Sequence, residues 1–507
     1  MDSVIEFYKA WQPDSTTLFV CLPEIILAAL ALLALVFDVF VKSAAAKCVA
    51  RGFIGAVLAA LFILVAGGAI PSSNIGETPL FFLAGAFGRI TTPLFIAIAF
   101  FTLYLSRTVC SREINAGVSV PATTHLVLIA TAAASLLLKA SNFVAFFVLL
   151  ETLTVCLYAL VGSSRGSAYS LEGGVKYLIA GGVSGALTLF GIVLIYGAHA
   201  IAGLPGLAAP GLAGDVLGYF ETAGFFMSGS AGVVGIAGAG MVLAGVMFKL
   251  GVFPMQFWIP DVYQGAPTHV TFFLATLSKA TGFFLLLTML VIFSGIFEIV
   301  LPVLTVCALI SIVYANLTAL GQRNVKRLLG LSGVSHAGYL TLGLLAAFTV
   351  RDNVCFALVF LYLLVYIVSV CPIFSVMAHM PQADDALQNF DDYAGLSKKN
   401  PLFAGSLAFG LGSLAGIPPT VGFIAKLGLL YVLFSAGFYI SIAIMLACVV
   451  AGIFYYFGWF RAAFSSGEEI GTTAGEGVPA DVFSKIILVV LSVAMVAGVA
   501  VYWVVLS

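Results

Sequence analysis

At 507 residues, 62% of them hydrophobic and only 8% charged, and with a mean hydropathy of +1.17, the chain lies far from a water-soluble domain, in which about 25% of residues are charged. A formal net charge of −1 excludes the basic footprint of a nucleic-acid binder. The eight cysteines, none at C-x-x-C spacing, read as small buried apolar residues rather than iron-sulfur or zinc ligands, so redox chemistry is left to other chains.

Apolar runs long enough to cross about 30 Å of hydrocarbon can be marked off by their polar breaks. They fall near 17–38, 50–70, 84–106, 121–139, 141–163, 174–198, 231–256, 267–293, 299–320, 326–348, 353–379, 402–435, 438–460 and 483–505. The chain thus reads as an all-α polytopic membrane protein of about fourteen helices. Residues 1–16 lack a basic start and a small-residue cleavage site, so the first span is expected to remain.

Basic residues set the orientation. Fourteen Lys and Arg residues fall in loops on one side and four, Lys9, Arg89, Lys139 and Arg351, on the other, which predicts both termini on the non-cytoplasmic side. The loop at 200–230 is then external, and 382–400 is cytoplasmic and able to dock a neighbour. The acidic, glycine-rich stretch 465–481 reads as a connector.

Three lysines remain inside apolar spans: Lys249, Lys279 and Lys426. A lysine at the bilayer centre costs about 2.5–3.5 kcal/mol even on a lenient scale, so proton carriage is the reading given to them. Glu151, deep in NFVAFFVLLETLTVCLYALVG, must be neutral or paired, and Lys249 is the partner assigned to it. A static ion pair that fixes helix packing is the competing interpretation. His336, in LSGVSHAGYL, sits near mid-depth as a possible proton relay or a packing histidine. Glu24 is given a structural role, Lys326 and Arg327 are read as interfacial anchors, and Asp261 and His269 are placed in a cytoplasmic hinge.

Three prolines mark two breaks. Gly251-Val-Phe-Pro254 in the seventh span is echoed by Gly416-Ile-Pro-Pro419 in the twelfth, a pattern that points to internal repeats around a transport site. Pro254 cannot bond back to the Leu250 carbonyl, nor Pro418 and Pro419 to those of Leu414 and Ala415, so bare carbonyls and water are expected there.

The stretches FKLGVFPMQFWIPDVYQGAPTHVTFFLATLSKATGFF, VKRLLGLSGVSHAGYL, SLAGIPPTVGFIAKLGLLY and LLETLTVCLYALVG together resemble the NuoN-type antiporter-like membrane subunits of respiratory complex I, along essentially all fourteen spans. The resemblance implies two inverted five-helix repeats with discontinuous helices 7 and 12. The domains would be 1–120 (spans one to three), 121–293 (first repeat), 299–463 (second repeat) and 464–507 (loop and last span). It implies proton translocation through Glu151, Lys249, Lys279 and Lys426, driven by electron transfer in partner chains of an NADH-quinone oxidoreductase. Quinone, flavin and iron-sulfur clusters would lie in those partners and no cofactor in this chain. M-, K- and J-type membrane subunits would be its neighbours, in a bacterial inner membrane. Lys426, where the M-type sister has a glutamate, and the end of the chain just after span fourteen, where the L-type has a lateral helix, favour the N-type. Gln256 departs from the family, which usually has a histidine there. The alternative is a subunit of an Mrp-type sodium/proton antiporter, which shares the fold without a redox partner; a purely structural scaffold is the third reading.

Overall fold

Why these residues form helices follows from their solvent: in hydrocarbon every backbone N–H and C=O must be satisfied within the segment. The computed structural model describes residues 21–41, 44–68, 79–115, 123–140, 143–164, 166–201, 229–380, 385–465 and 481–506. Its elements are α1 (Leu22–Phe40), α2 (Ala44–Ala66), α3 (Pro79–Asn115), α4 (Thr124–Leu137), α5 (Phe143–Val161), α6 (Ala168–Ile201), α7 (Gly229–Leu250), α8 (Ile259–Gly265) and α9 (Thr268–Ile292). They continue with α10 (Phe297–Ala319), α11 (Val325–Val350), α12 (Asn353–His379), α13 (Pro401–Ala415), α14 (Val421–Ser435), α15 (Tyr439–Phe464) and α16 (Val482–Leu506). Among the described residues there is no β-strand, only an isolated bridge between Asn324 and Asn389. The loop at 200–230, expected to be external, lies almost wholly outside the described residues, as do 382–384 and most of 465–481.

Among the described residues 11 helices are long and apolar enough to cross a membrane, and four shorter apolar ones, α4, α13, α14 and α16, supply the remaining spans, α13 and α14 being two halves of one. The count of fourteen therefore holds, with spans seven and twelve each interrupted. Past its break the seventh leads into the seven-residue α8, in the hinge that joins it to α9.

Burial follows polarity. α11 is among the least apolar of the candidate spans, yet its whole apolar window is buried inside the protein, whereas α10 and α15 are buried over only 33% of theirs and face outward. Lys326, Ser332, Ser335 and His336 explain the placement, because polar groups in a membrane helix face other helices rather than lipid. Asn324 starts this helix by accepting hydrogen bonds from the backbone N–H groups of Lys326 and Arg327, each at 3.1 Å. Around α11 pack α10, α12, α8 and α14, while α6 lies along α7 and α5.

Candidate functional site

The two interruptions are built alike. α7 ends on Gly251, with φ +80°, whose N–H and that of Val252 both donate to Met247 O, at 2.8 and 3.0 Å. α13 ends on Gly416, with φ +78°, and the N–H groups of Gly416 and Ile417 both donate to Gly412 O at 2.9 Å. This left-handed cap is the conformation that favours glycine, and the prolines that follow keep each helix from resuming. Both breaks contain a cis X-Pro bond, Phe253-Pro254 and Pro418-Pro419. Behind the first, Phe253 N–H donates to Ser311 Oγ of α10 at 2.7 Å, so a hydroxyl from another helix takes the group left over.

A lysine stands at each capping glycine. Lys426 Nζ donates to Leu414 O and Ala415 O, at 2.9 and 2.8 Å. These are the two carbonyls expected to lie bare in water, so the structure corrects that expectation: α14 folds its own lysine back onto the end of α13, where a cation also meets the negative end of the helix dipole. At the first break, Lys279 Nζ lies 3.9 Å from where a Cβ on Gly251 would be, and it donates to Gly333 O of α11 at 2.8 Å. Lys279 immediately follows a π-helical stretch, Leu274–Ser278, and π-turns within helices are frequent at functional sites.

Lys249 differs. It is buried in the last turn of α7, and its Nζ has no hydrogen-bond partner among the described residues. It lines one cavity with Glu151, Thr154, Ser184 and Gly185, of about 10 Å³, close to the space a single water needs. The ion pair expected between Lys249 and Glu151 takes the form of a shared cavity: no direct contact between them is among the ion pairs of the described residues. Glu151 Oε1 occupies the space beside Gly185, 2.5 Å from where a Cβ would lie, so a side chain there would push the carboxylate aside.

His336 lies in the second half, with Nδ1 2.6 Å from Tyr362 OH and its ring 4.9 Å from that of Tyr366. It sits within electrostatic range of both Lys279 and Lys426. Glu151 and Lys249 thus share one cavity, while His336 has Lys279 and Lys426 as its charged neighbours. No group of His, Cys, Asp and Glu able to hold a metal ion occurs among the described residues.

PDVYQGAP supplies most of α8 and the link from it into α9. Asp261 accepts hydrogen bonds from Arg327 Nη1 of α11 at 2.5 Å and from Lys176 Nζ of α6 at 2.7 Å, and Arg327 also donates to Gln264 at 2.9 Å. Partial burial raises the Asp261 pKa, but the two cations outweigh it and hold the carboxyl below its usual range. Gln256, at the family's histidine position, is buried, and its Oε1 has no hydrogen-bond partner among the described residues.

Residues 140–453 match the family described as NADH:quinone oxidoreductase/Mrp antiporter, transmembrane. The chain belongs to this antiporter-like family. Relatives include NADH-quinone oxidoreductase subunit N 1 of Opitutus terrae, 50% identical over 67% of this chain and 66% of the relative, just under two thirds of its length. Subunit N of Geotalea uraniireducens is 34% identical over 86% of this chain and 87% of the relative. A chain of respiratory complex I from Thermus thermophilus superposes with a TM-score of 0.72 at 25% identity, over 96% of this chain and 99% of that one. A chain of the Mrp complex from Dietzia sp. has a TM-score of 0.71 over 96% and 95%, but at 19% identity it shows only that the antiporter-like fold is shared.

Two polar clusters of this antiporter-like chain escaped the sequence reading. Glu24 of α1, packed against α4, accepts a hydrogen bond from Lys139 Nζ at 2.6 Å and one from Ser135, whose hydroxyl lies 3.1 Å from that of Thr92. Lys139, placed in an external loop, is an ion-pair partner instead; two opposite charges at the same predicted membrane face were the available signal. Asn316 of α10 donates to Ser335 at 2.7 Å and accepts from Tyr455 OH at 3.2 Å, joining α10, α11 and α15 one residue from His336. An amide inside the apolar run of α10 was its only trace in the sequence.

Proposed function

We propose that this chain is an N-type proton-translocating membrane subunit of a complex I-type quinone oxidoreductase. Electron transfer would run in partner subunits that hold the flavin, iron-sulfur clusters and quinone, with M-, K- and J-type membrane subunits as its neighbours. On this reading residues 121–293 and 299–463 are the two inverted halves, and both termini lie outside the cytoplasm of a bacterial inner membrane.

The observation that carries the proposal is that three buried lysines occupy three different settings. Two carbonyls hold Lys426 and one holds Lys279, while Lys249 has only a cavity shared with a carboxylate. Carbonyl acceptors stabilise an ammonium. A lysine without them depends on its carboxylate, so the approach or withdrawal of Glu151 charges or discharges Lys249. A proton released by Lys249 passes to Lys279 across the break at Gly251, and His336, between the two charged ends, carries it on toward Lys426. Moving one charge against 100 mV costs about 2.3 kcal/mol, within the range of such coupled equilibria. Relatives named as subunit N at 34–50% identity support this reading over an Mrp antiporter, for which the likeness is of fold alone.

The test is proton translocation in proteoliposomes of the purified complex. Lys249→Ala and Lys279→Ala are each expected to lower the number of protons moved per electron pair while assembly persists. Normal pumping in both variants would overturn the proposal, and a subunit inventory without redox chains would point to an antiporter complex.

A further inference from the structure

Lys279 owes its position to a junction about 10 Å away along α11, at 1.5 Å per residue. Lys326 and Gly333, the carbonyl partner of Lys279, are seven residues apart, two helical turns, and so lie on one face of α11. Lys326, read from the sequence as an interfacial anchor, is instead fully buried. Its Nζ donates to Ala266 O, just before α9, and to Asp385 Oδ2, both at 2.8 Å. The same carboxylate accepts from Thr268 N at 2.6 Å and from Thr268 Oγ1 at 2.8 Å, and Thr268 opens the helix that carries Lys279. One carboxylate therefore ties the start of the lysine's helix to the start of its acceptor's helix. Gln388 Nε2 donates to the other oxygen at 3.1 Å, and Val325 N donates to Gln388 O at 3.0 Å, which fixes the carboxylate against α11 from its own loop.

We infer that Asp385 and Lys326 are positioning residues for proton transfer at Lys279: they set the spacing of α9 and α11 that brings Lys279 Nζ to Gly333 O. Space at that contact is narrow, since a Cβ on Gly333 would lie 3.1 Å from Lys279 Nζ and 3.4 Å from Tyr366 OH. A small change in helix spacing there breaks the contact or closes it sterically. Lys326 and Asp385 sit far from the lysine itself and act through helix position, not through proton exchange with it. This inference rests on the proposal that Lys279 carries protons.

The test is epistasis in the intact complex, with protons per electron pair measured in proteoliposomes. Asp385→Ala is expected to lower the ratio to the value of Lys279→Met, and the double variant to fall no further, because both act on one step. Asp385→Asn, whose amide oxygen still accepts from Thr268, is expected to restore part of the loss at unchanged quinone reduction, which a general loss of stability would not do. If Asp385→Ala does not assemble, Lys326→Gln replaces it under the same criterion. A full ratio in Asp385→Ala, or additive losses in the double variant, overturns this inference alone. A full ratio in Lys279→Met overturns the proton-carrying role and this inference with it.

Discussion

Glu151 and Lys249 face one cavity from α5 and α7, and among the described residues they make no direct ion pair. A carboxylate at this remove, with room for about one water between, alters the charge on the lysine without locking it. Glu151→Gln removes that control while keeping shape. In proteoliposomes the variant should translocate markedly fewer protons per electron pair than Glu151→Asp. Equal pumping by Glu151→Gln and the unaltered complex would show that the pair only packs helices.

Lys426 separates capping from proton release. Lys426→Ala leaves Leu414 O and Ala415 O without their donor, a cost of about 1–3 kcal/mol for each buried group left unsatisfied, so the variant is expected to lose thermal stability as well as pumping. Lys426→Arg keeps donors at the helix end, yet its guanidinium holds its proton at any accessible pH. It should therefore melt close to the unaltered complex and still pump poorly. Normal pumping by the arginine variant would make Lys426 a fixed cap.

At Gly416, an alanine meets two penalties. The φ of +78° disfavours any L side chain by about 1–2 kcal/mol, and a Cβ would lie 3.2 Å from Lys426 Nζ. Gly416→Ala is expected to lower the melting temperature and to displace the lysine. Gly412→Ala, one turn earlier, has open packing around it, with Thr420 at 3.7 Å, and should be mild by comparison. Melting curves of the two variants decide it, and equal loss would mean that the left-handed cap contributes nothing.

Acid should open the hinge at Asp261. Its pKa is held below the usual aspartate range by Lys176 and Arg327, so its contribution to stability is complete above about 3.9, the ordinary value, and is lost as pH falls through the lower folded value. Amide exchange in 259–271 is therefore expected to stay flat from neutral pH down to about 4 once corrected for intrinsic rates, and to rise below that. Asp261→Asn should show raised exchange at all pH values. Opening that begins near neutral pH would assign the hinge to another group.

Apolar runs and their polar interruptions determined the helices of this chain, because hydrocarbon forces each crossing segment to satisfy its own backbone. The basic residues of its loops and the three stranded lysines were legible for the same reason: a charge in an apolar run is conspicuous by its cost. So were the breaks at Gly251 and Gly416, since proline and glycine act on the backbone locally. Which groups answer those charges was not legible. Lys426 reaches the two carbonyls its own prolines free, Lys279 reaches Gly333 fifty-four residues on, and Lys326 meets Asp385 fifty-nine residues away. Ser311 completes the hinge from a separate helix, and Tyr362 meets His336 across a helix interface. Such partners are chosen by how helices rotate and pack against one another, a long-range outcome that no local pattern encodes, and the tertiary structure alone decided them.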